Sequence, residues 1–158
     1  RLHVDSFPAT PVNGKRILRV FTNVNPSGRA RSWRLGESFD RVAARFAPGI
    51  RPPAPASLVF MQLFRVTRGR RSLYDHYMLG LHNAMKANDD YQRNCPQSSF
   101  DFPAQSTWAV FTDSVPHAVT AGQHQFEQTF YLDVEAMADP EKSPLRLLEK
   151  QLGKSLRN

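Results

Sequence analysis

The sequence predicts a mainly β domain interrupted by a helical insert, and three observations predict it. Residues 15–25, KRILRVFTNVN, are rich in β-branched and aromatic side chains and alternate like a strand. Residues 37–92 change from a period of two to about 3.6, the period of a helix. Trp108–Thr112 and Phe126–Leu132 then return to strand character.

Taken in order, residues 2–6, LHVDS, alternate apolar and polar as a half-buried strand should. Pro8, Pro11, Asn13 and Gly14 mark a turn. In the strand that follows, Arg19, Phe21, Asn23 and Asn25 share one face, and Leu18, Val20, Thr22 and Val24 the other. The mixed face suits the lining of a polar cavity, and Pro26 and Gly28 close a hairpin. Phe39, Val42, Ala43 and Phe46 stand at helical spacing within a helix of about 37–46. Four prolines between Pro48 and Pro55 make a connector. Two helical patterns come next, 56–66 and 73–87, separated by the basic loop TRGRRS at 67–72. The second carries a stripe of Tyr74, Tyr77, Met78, Leu81 and Met85. After the last strand, Asp133 opens a helical turn, and 143–152 form a final helix with Leu145, Leu148 and Leu152 inward.

The 158 residues are one domain's worth of chain, read here as a single catalytic unit with residues 37–92 inserted in it. No apolar run approaches the ~18 residues of a membrane span. The start at Arg1, running straight into an apolar stretch, reads as a cut inside a domain, so the unit is expected to be truncated at its N-terminus. The single cysteine, Cys95, gives no disulfide framework. Twenty-one basic against fourteen acidic residues give a net charge of +7, which favours anionic partners. The basic residues lack the interleaved aromatics of a single-strand nucleic-acid platform.

The sharpest local feature is His3-Val4-Asp5. On a strand, residues i and i+2 project to one face, so an imidazole and a carboxylate stand together at metal-ligand separation. His117, just past a strand and a turn, supplies a third ligand from elsewhere in the chain. Two histidines and one carboxylate on one face, with the opposite positions open, is the arrangement of non-haem Fe(II) oxygenases. The triplet alone is a weak signal, and two surface histidines with a stray aspartate is the plain alternative. His76 and His82 are six apart on one helix and face different ways, which suits surface or packing roles. Asp89 and Asp90 point apart and make a poor acid/base pair. Trp33 and Trp108 suit a core.

RLHVDSFPATPVNGKRILRVFTNVNP, GRRSLYDHYMLGLHNAMKANDDYQ, FDFPAQSTWAVFTDSVPHAVTAGQHQFEQTFYL and MADPEKSPLRLLE, in that order, resemble the Kdo hydroxylase family. FTDSVPHAVTAGQ is the most specific block, and the likeness spans nearly the whole chain. Members are 2-oxoglutarate dioxygenases acting on the 3-deoxy-manno-octulosonic acid sugar of lipopolysaccharide. The resemblance implies a double-stranded β-helix, a cupin-like jelly roll. It implies His3, Asp5 and His117 as iron ligands, with Fe(II), 2-oxoglutarate and O₂ as cofactor and cosubstrates. It further implies Kdo-lipid A, an anionic glycolipid, as substrate, and a place in the bacterial cytoplasm, at or near the inner face of the inner membrane. No nucleic-acid partner is expected, and nothing selects an oligomeric state.

One departure stands out. Many superfamily members carry an arginine about ten residues past the distal histidine, where this chain has Glu127, Gln128 and Thr129. The far carboxylate of 2-oxoglutarate still needs a charged partner. Arg19, on the same polar face as Asn23, is the best available cation, and Gln128 adds a neutral hydrogen bond. Arg68, Arg70, Arg71 and Tyr74 are candidate substrate contacts, followed by Asp75 and Lys86. Two rivals stay open at this point. One is a dioxygenase with a different substrate, such as a protein side chain or small molecule. The other is a non-catalytic basic jelly-roll module holding anionic glycolipid or nucleic acid.

Overall fold

β1 (Arg16–Asn23) forms the middle of a three-stranded antiparallel sheet in the computed structural model, which describes residues 1–54 and 68–157. It pairs with β4 (Thr107–Phe111) on one side and with β6 (Gln125–Leu132) on the other. A second antiparallel sheet places β2 (Arg31–Leu35) between β3 (Ser98–Phe102) and β5 (His117–Ala121). Aromatic side chains join the two sheets face to face. Phe21 and Trp108 come from the first and Trp33 and Phe102 from the second, with Phe21 and Trp33 at 5.0 Å edge to face and Phe102 and Trp108 stacked at 3.8 Å.

β1 presents to the interior the face expected to line a polar cavity. Its mixed face, with Ile17, Arg19, Phe21 and Asn23, looks into the sandwich; Ile17, Phe21 and Asn23 are fully buried there and Arg19 partly. The apolar face with Leu18, Val20 and Val24 looks outward and is partly exposed. Pro26 and Gly28 do not close a hairpin, because β2 belongs to the other sheet. The two later strands flank β1 instead of pairing with each other. β2, β3 and β5 were not anticipated. At five residues each, with Ser, Arg and Asp among them, they are too short to display a period.

The helices are α1 (Phe39–Phe46), α2 (Leu73–Ala87), α3 (Asp89–Asn94) and α4 (Pro144–Leu152). The expected helix at 56–66 lies outside the described residues. α2 starts where a capping box forms, with the Ser72 hydroxyl accepting from the Asp75 amide and the Asp75 carboxylate accepting from the Ser72 amide. α4 starts at Ser143 and Pro144 and ends at Gly153 in the left-handed region, φ 63°. Their apolar stripes, including Phe39, Val42, Leu81, Met85, Leu145 and Leu148, form one core with Leu2, Val4 and Ala118. The helical layer thus backs the second sheet on the side away from the first. No helix among the described residues is long and apolar enough to cross a membrane.

Candidate metal centre

The segment carrying His3 and Asp5 is pinned on both sides. The His3 amide donates to the His117 carbonyl at 3.2 Å, and the His117 amide returns a bond to His3 at 3.0 Å. The Asp5 amide donates to Thr112 at 2.8 Å. The strand expected over residues 2–6 is thus reduced to a single bridge, from His3 to His117 at the start of β5, with one further bond to Thr112 just past β4. Directly opposed residues of an antiparallel pair project to the same side, so this register brings two histidines 114 positions apart onto one face. Gln92 holds the segment from behind: its Oε1 accepts from the Leu2 amide at 2.7 Å, and its Nε2 donates to the carbonyls of Leu2 and Met85, each at 2.8 Å.

His3 Nε2 lies 3.5 Å from Asp5 Oδ1, and His117 Nε2 lies 3.8 Å from the same oxygen. The three ligand atoms stand within 4.8 Å of one another, the one such cluster among the described residues. Bonds of ~2.0–2.2 Å set neighbouring donors about 3 Å apart, so this triad is somewhat wider than expected, a gap that side-chain rotation spans.

The protonation states suit a cation. The His3 Nδ1 is 2.8 Å from the Arg1 carbonyl and the His117 Nδ1 2.8 Å from the Val115 carbonyl. A carbonyl only accepts, so each Nδ1 carries a hydrogen and each Nε2 is the nitrogen turned toward the centre. Burial holds the His117 pKa below its usual value and keeps the ring neutral near pH 7. Burial also opposes ionisation of Asp5, but His3, His117 and Arg19 outweigh it, and its pKa sits well below the ordinary carboxylate range. Two imidazoles held at Nδ1 by carbonyls and one carboxylate fit a divalent transition metal such as iron.

Further side chains aim the triad. Trp33 stacks on the His117 ring at 5.3 Å. His82, read as a surface or packing residue, meets the His3 ring edge to face at 4.8 Å, and its Nδ1 donates to the Val4 carbonyl at 2.8 Å. Arg19 faces the centre: its Nη1 donates to Asp5 Oδ2 at 2.8 Å, its Nη2 pairs with Glu127, and its buried Nε has no protein partner. Nothing in the local pattern marked Gln92, His82 or Glu127, because each acts through a contact far away in sequence.

Several expected contacts fall elsewhere. Gln128 registers with Val20 on the outer face of the first sheet, opposite to Arg19, whose cross-strand partner is Thr129. Asn23 is fully buried and spends its amide on the carbonyls of Arg29 and Phe102 and on the Asn25 amide, organising the end of β1. Tyr74 is 1% exposed in the helical core, where no substrate reaches it. Arg71 is buried and donates to the Pro8 carbonyl, and Asp75 caps α2 and binds the Val12 and Asn13 amides, so both are structural. Arg68, Arg70 and Lys86 are exposed.

Residues 1–155 match the family model described as 3-deoxy-D-manno-oct-2-ulosonic acid (Kdo) hydroxylase. The chain belongs to the Kdo hydroxylase family. Its fold is similar to crystal structures of the Kdo hydroxylase KdoO, a non-haem Fe(II) α-ketoglutarate-dependent dioxygenase. The complex with α-ketoglutarate and Fe(III) is 57% identical with a TM-score of 0.97, over 99% of this chain and 53% of that one. The complex with succinate and Fe(III) is 56% identical with a TM-score of 0.98, over 100% of this chain and 54% of that one. The cobalt(II) complex is 56% identical with a TM-score of 0.98, over 100% of this chain and 53% of that one. The chain therefore spans about half the length of these structures. No match was found among curated proteins.

Proposed function

We propose that this Kdo hydroxylase family chain carries the iron and cosubstrate site of an Fe(II)/2-oxoglutarate-dependent hydroxylase, with His3, Asp5 and His117 as the metal ligands. The observation that carries the reading is the convergence of His3 Nε2, Asp5 Oδ1 and His117 Nε2 on one buried point. The two facing sheets are read as the double-stranded β-helix of this superfamily, and the KdoO complexes with iron and α-ketoglutarate support it.

When bound, iron and 2-oxoglutarate supply the oxidising chemistry by which O₂ converts a substrate C–H to C–OH, with succinate and CO₂ as co-products. The chain's own part is placement. Carbonyls of Arg1 and Val115 fix the two imidazoles in the tautomer a metal needs. Arg19 takes one oxygen of Asp5 and leaves the other for the ion, and its guanidinium is the cation for the far carboxylate of 2-oxoglutarate. Trp33 and the neighbouring aromatics keep water from the inner side of His117.

The proposed substrate is the Kdo sugar of Kdo-lipid A, an anionic glycolipid suited to a chain of net charge +7. Arg68 and Arg70 are proposed to contact it. Their loop joins the segment that follows His3 and Asp5, the Arg68 amide donating to the Ala9 carbonyl at 2.8 Å. The protein would then work in the bacterial cytoplasm, peripherally at the inner face of the inner membrane. Aerobic incubation with Fe(II), 2-oxoglutarate and Kdo-lipid A tests the whole reading. A one-oxygen mass gain on the glycolipid, matched by succinate and lost in Asp5→Ala, is expected. Succinate without glycolipid modification would move the activity to another substrate, and neither product would remove the dioxygenase reading.

A further inference from the structure

Arg19 serves two carboxylates that differ in freedom. Its Nη1 holds Asp5, whose side chain is 8% exposed, and its Nη2 holds Glu127, whose side chain is 38% exposed. Glu127 lies on β6 opposite Phe21, diagonal to Arg19 on the inner face, and Gln125 Nε2 donates to its second oxygen at 3.2 Å. Asp5 is locked by its surroundings. Glu127 stands at the rim, where rotation into water is cheap, with Arg31 in electrostatic range to receive its charge.

Charge balance then singles out Glu127. A divalent cation offsets a bound dicarboxylate, and Arg19 offsets Asp5, which leaves Glu127 without a cation at the centre and with Arg31 outside it. We infer that Glu127 is an internal stand-in for the far carboxylate of the cosubstrate, occupying Arg19 until a dicarboxylate displaces it. The inference rests on the proposed role of Arg19 as the cosubstrate's anchor. It makes Glu127 a determinant of affinity and of selectivity: a dicarboxylic 2-oxo acid competes with it, and a monocarboxylic one such as pyruvate does not. The Arg19 Nε, buried without a protein partner, is a further donor for the incoming group.

The test is anaerobic calorimetry on Co(II)-saturated protein, titrating 2-oxoglutarate and, separately, pyruvate. Glu127→Gln, close to isosteric, should tighten 2-oxoglutarate binding by roughly three- to tenfold, the scale of one partly exposed charge pair. Pyruvate affinity should stay unchanged, and the gain should vanish in an Arg19→Ala background. If Glu127→Gln leaves 2-oxoglutarate affinity unchanged or weakens it while Arg19→Ala weakens it strongly, Glu127 is no competitor, although Arg19 remains the anchor. If Arg19→Ala leaves 2-oxoglutarate affinity unchanged at saturating Co(II), the anchor reading falls and the role of Glu127 with it. Equal tightening of pyruvate would show a general field effect and would also overturn the proposal.

Discussion

Residues 2–5 present two regions of the molecule back to back on one short stretch of backbone. Leu2 and Val4 are fully buried in the helical core, among Val42, Leu81, Met85 and Leu148. His3 and Asp5 point the other way, into the sandwich, where Asp5, Arg19 and His117 compose a polar cluster. The first side depends on area and volume, so neighbouring apolar residues share the load. The second depends on individual atoms, each with a designated partner, such as Arg1 and Val115 for the rings and Arg19 for the carboxylate. The apolar side should therefore control stability and the polar side binding, with little exchange between them.

The largest effect should come from the polar side. Asp5→Ala should weaken Co(II) binding by more than about 100-fold, beyond what loss of an outer-shell partner causes. In the wild type, Co(II) at a hundred times its dissociation constant should raise unfolding free energy by about 2.7 kcal/mol, and Asp5→Ala should abolish that increment in a urea titration. A variant stabilised by Co(II) as well as the wild type would mean that the ion binds elsewhere.

A buried ion pair comes next. Arg16 and Asp113 meet through two bonds, at 2.6 and 3.0 Å, with side chains 3% and 0% exposed. Burial raises the Asp113 pKa despite Arg16, the sign of a costly site for a charge. Arg16→Ala should cost about 3–5 kcal/mol by urea unfolding, because it leaves that buried carboxylate without its cation. Asp113 opens the turn leading to His117, so this variant also tests the separation. Metal affinity that falls with stability would show the turn coupling the two sides.

Leu81→Ala, wholly within the helical core, should cost about 2–5 kcal/mol with Co(II) affinity of the folded protein within twofold of wild type. Loss of both together would break the comparison. Gln92 is the exception that sharpens it, since it sits on the apolar side yet holds the Leu2 backbone in place. Gln92→Ala should cost about 1–3 kcal/mol through the stranded Leu2 groups, and should weaken Co(II) as well, by roughly tenfold.

Read by itself, the sequence determined the parts whose physics is local. Alternation put His3 and Asp5 on one face, and helical spacing defined α2. Apolar character marked Leu81, Met85 and Leu148 for a core. Period two says which residues of a strand travel together, so β1 was legible as a strand, and the polar residues on its mixed face marked that face for the polar interior. Arg19 was legible as the cation of that cavity-lining face, but its partners Asp5 and Glu127 were not foreseen. Gln128 was expected at the cosubstrate, but it stands one residue from Thr129, the partner of Arg19, and in a strand one residue is the opposite face. Only the tertiary structure decided that the start of β5 bridges to the H-x-D segment and brings His117 to His3. That pairing crosses 114 positions through backbone bonds that any residue except proline can donate, so side-chain pattern carries little record of it.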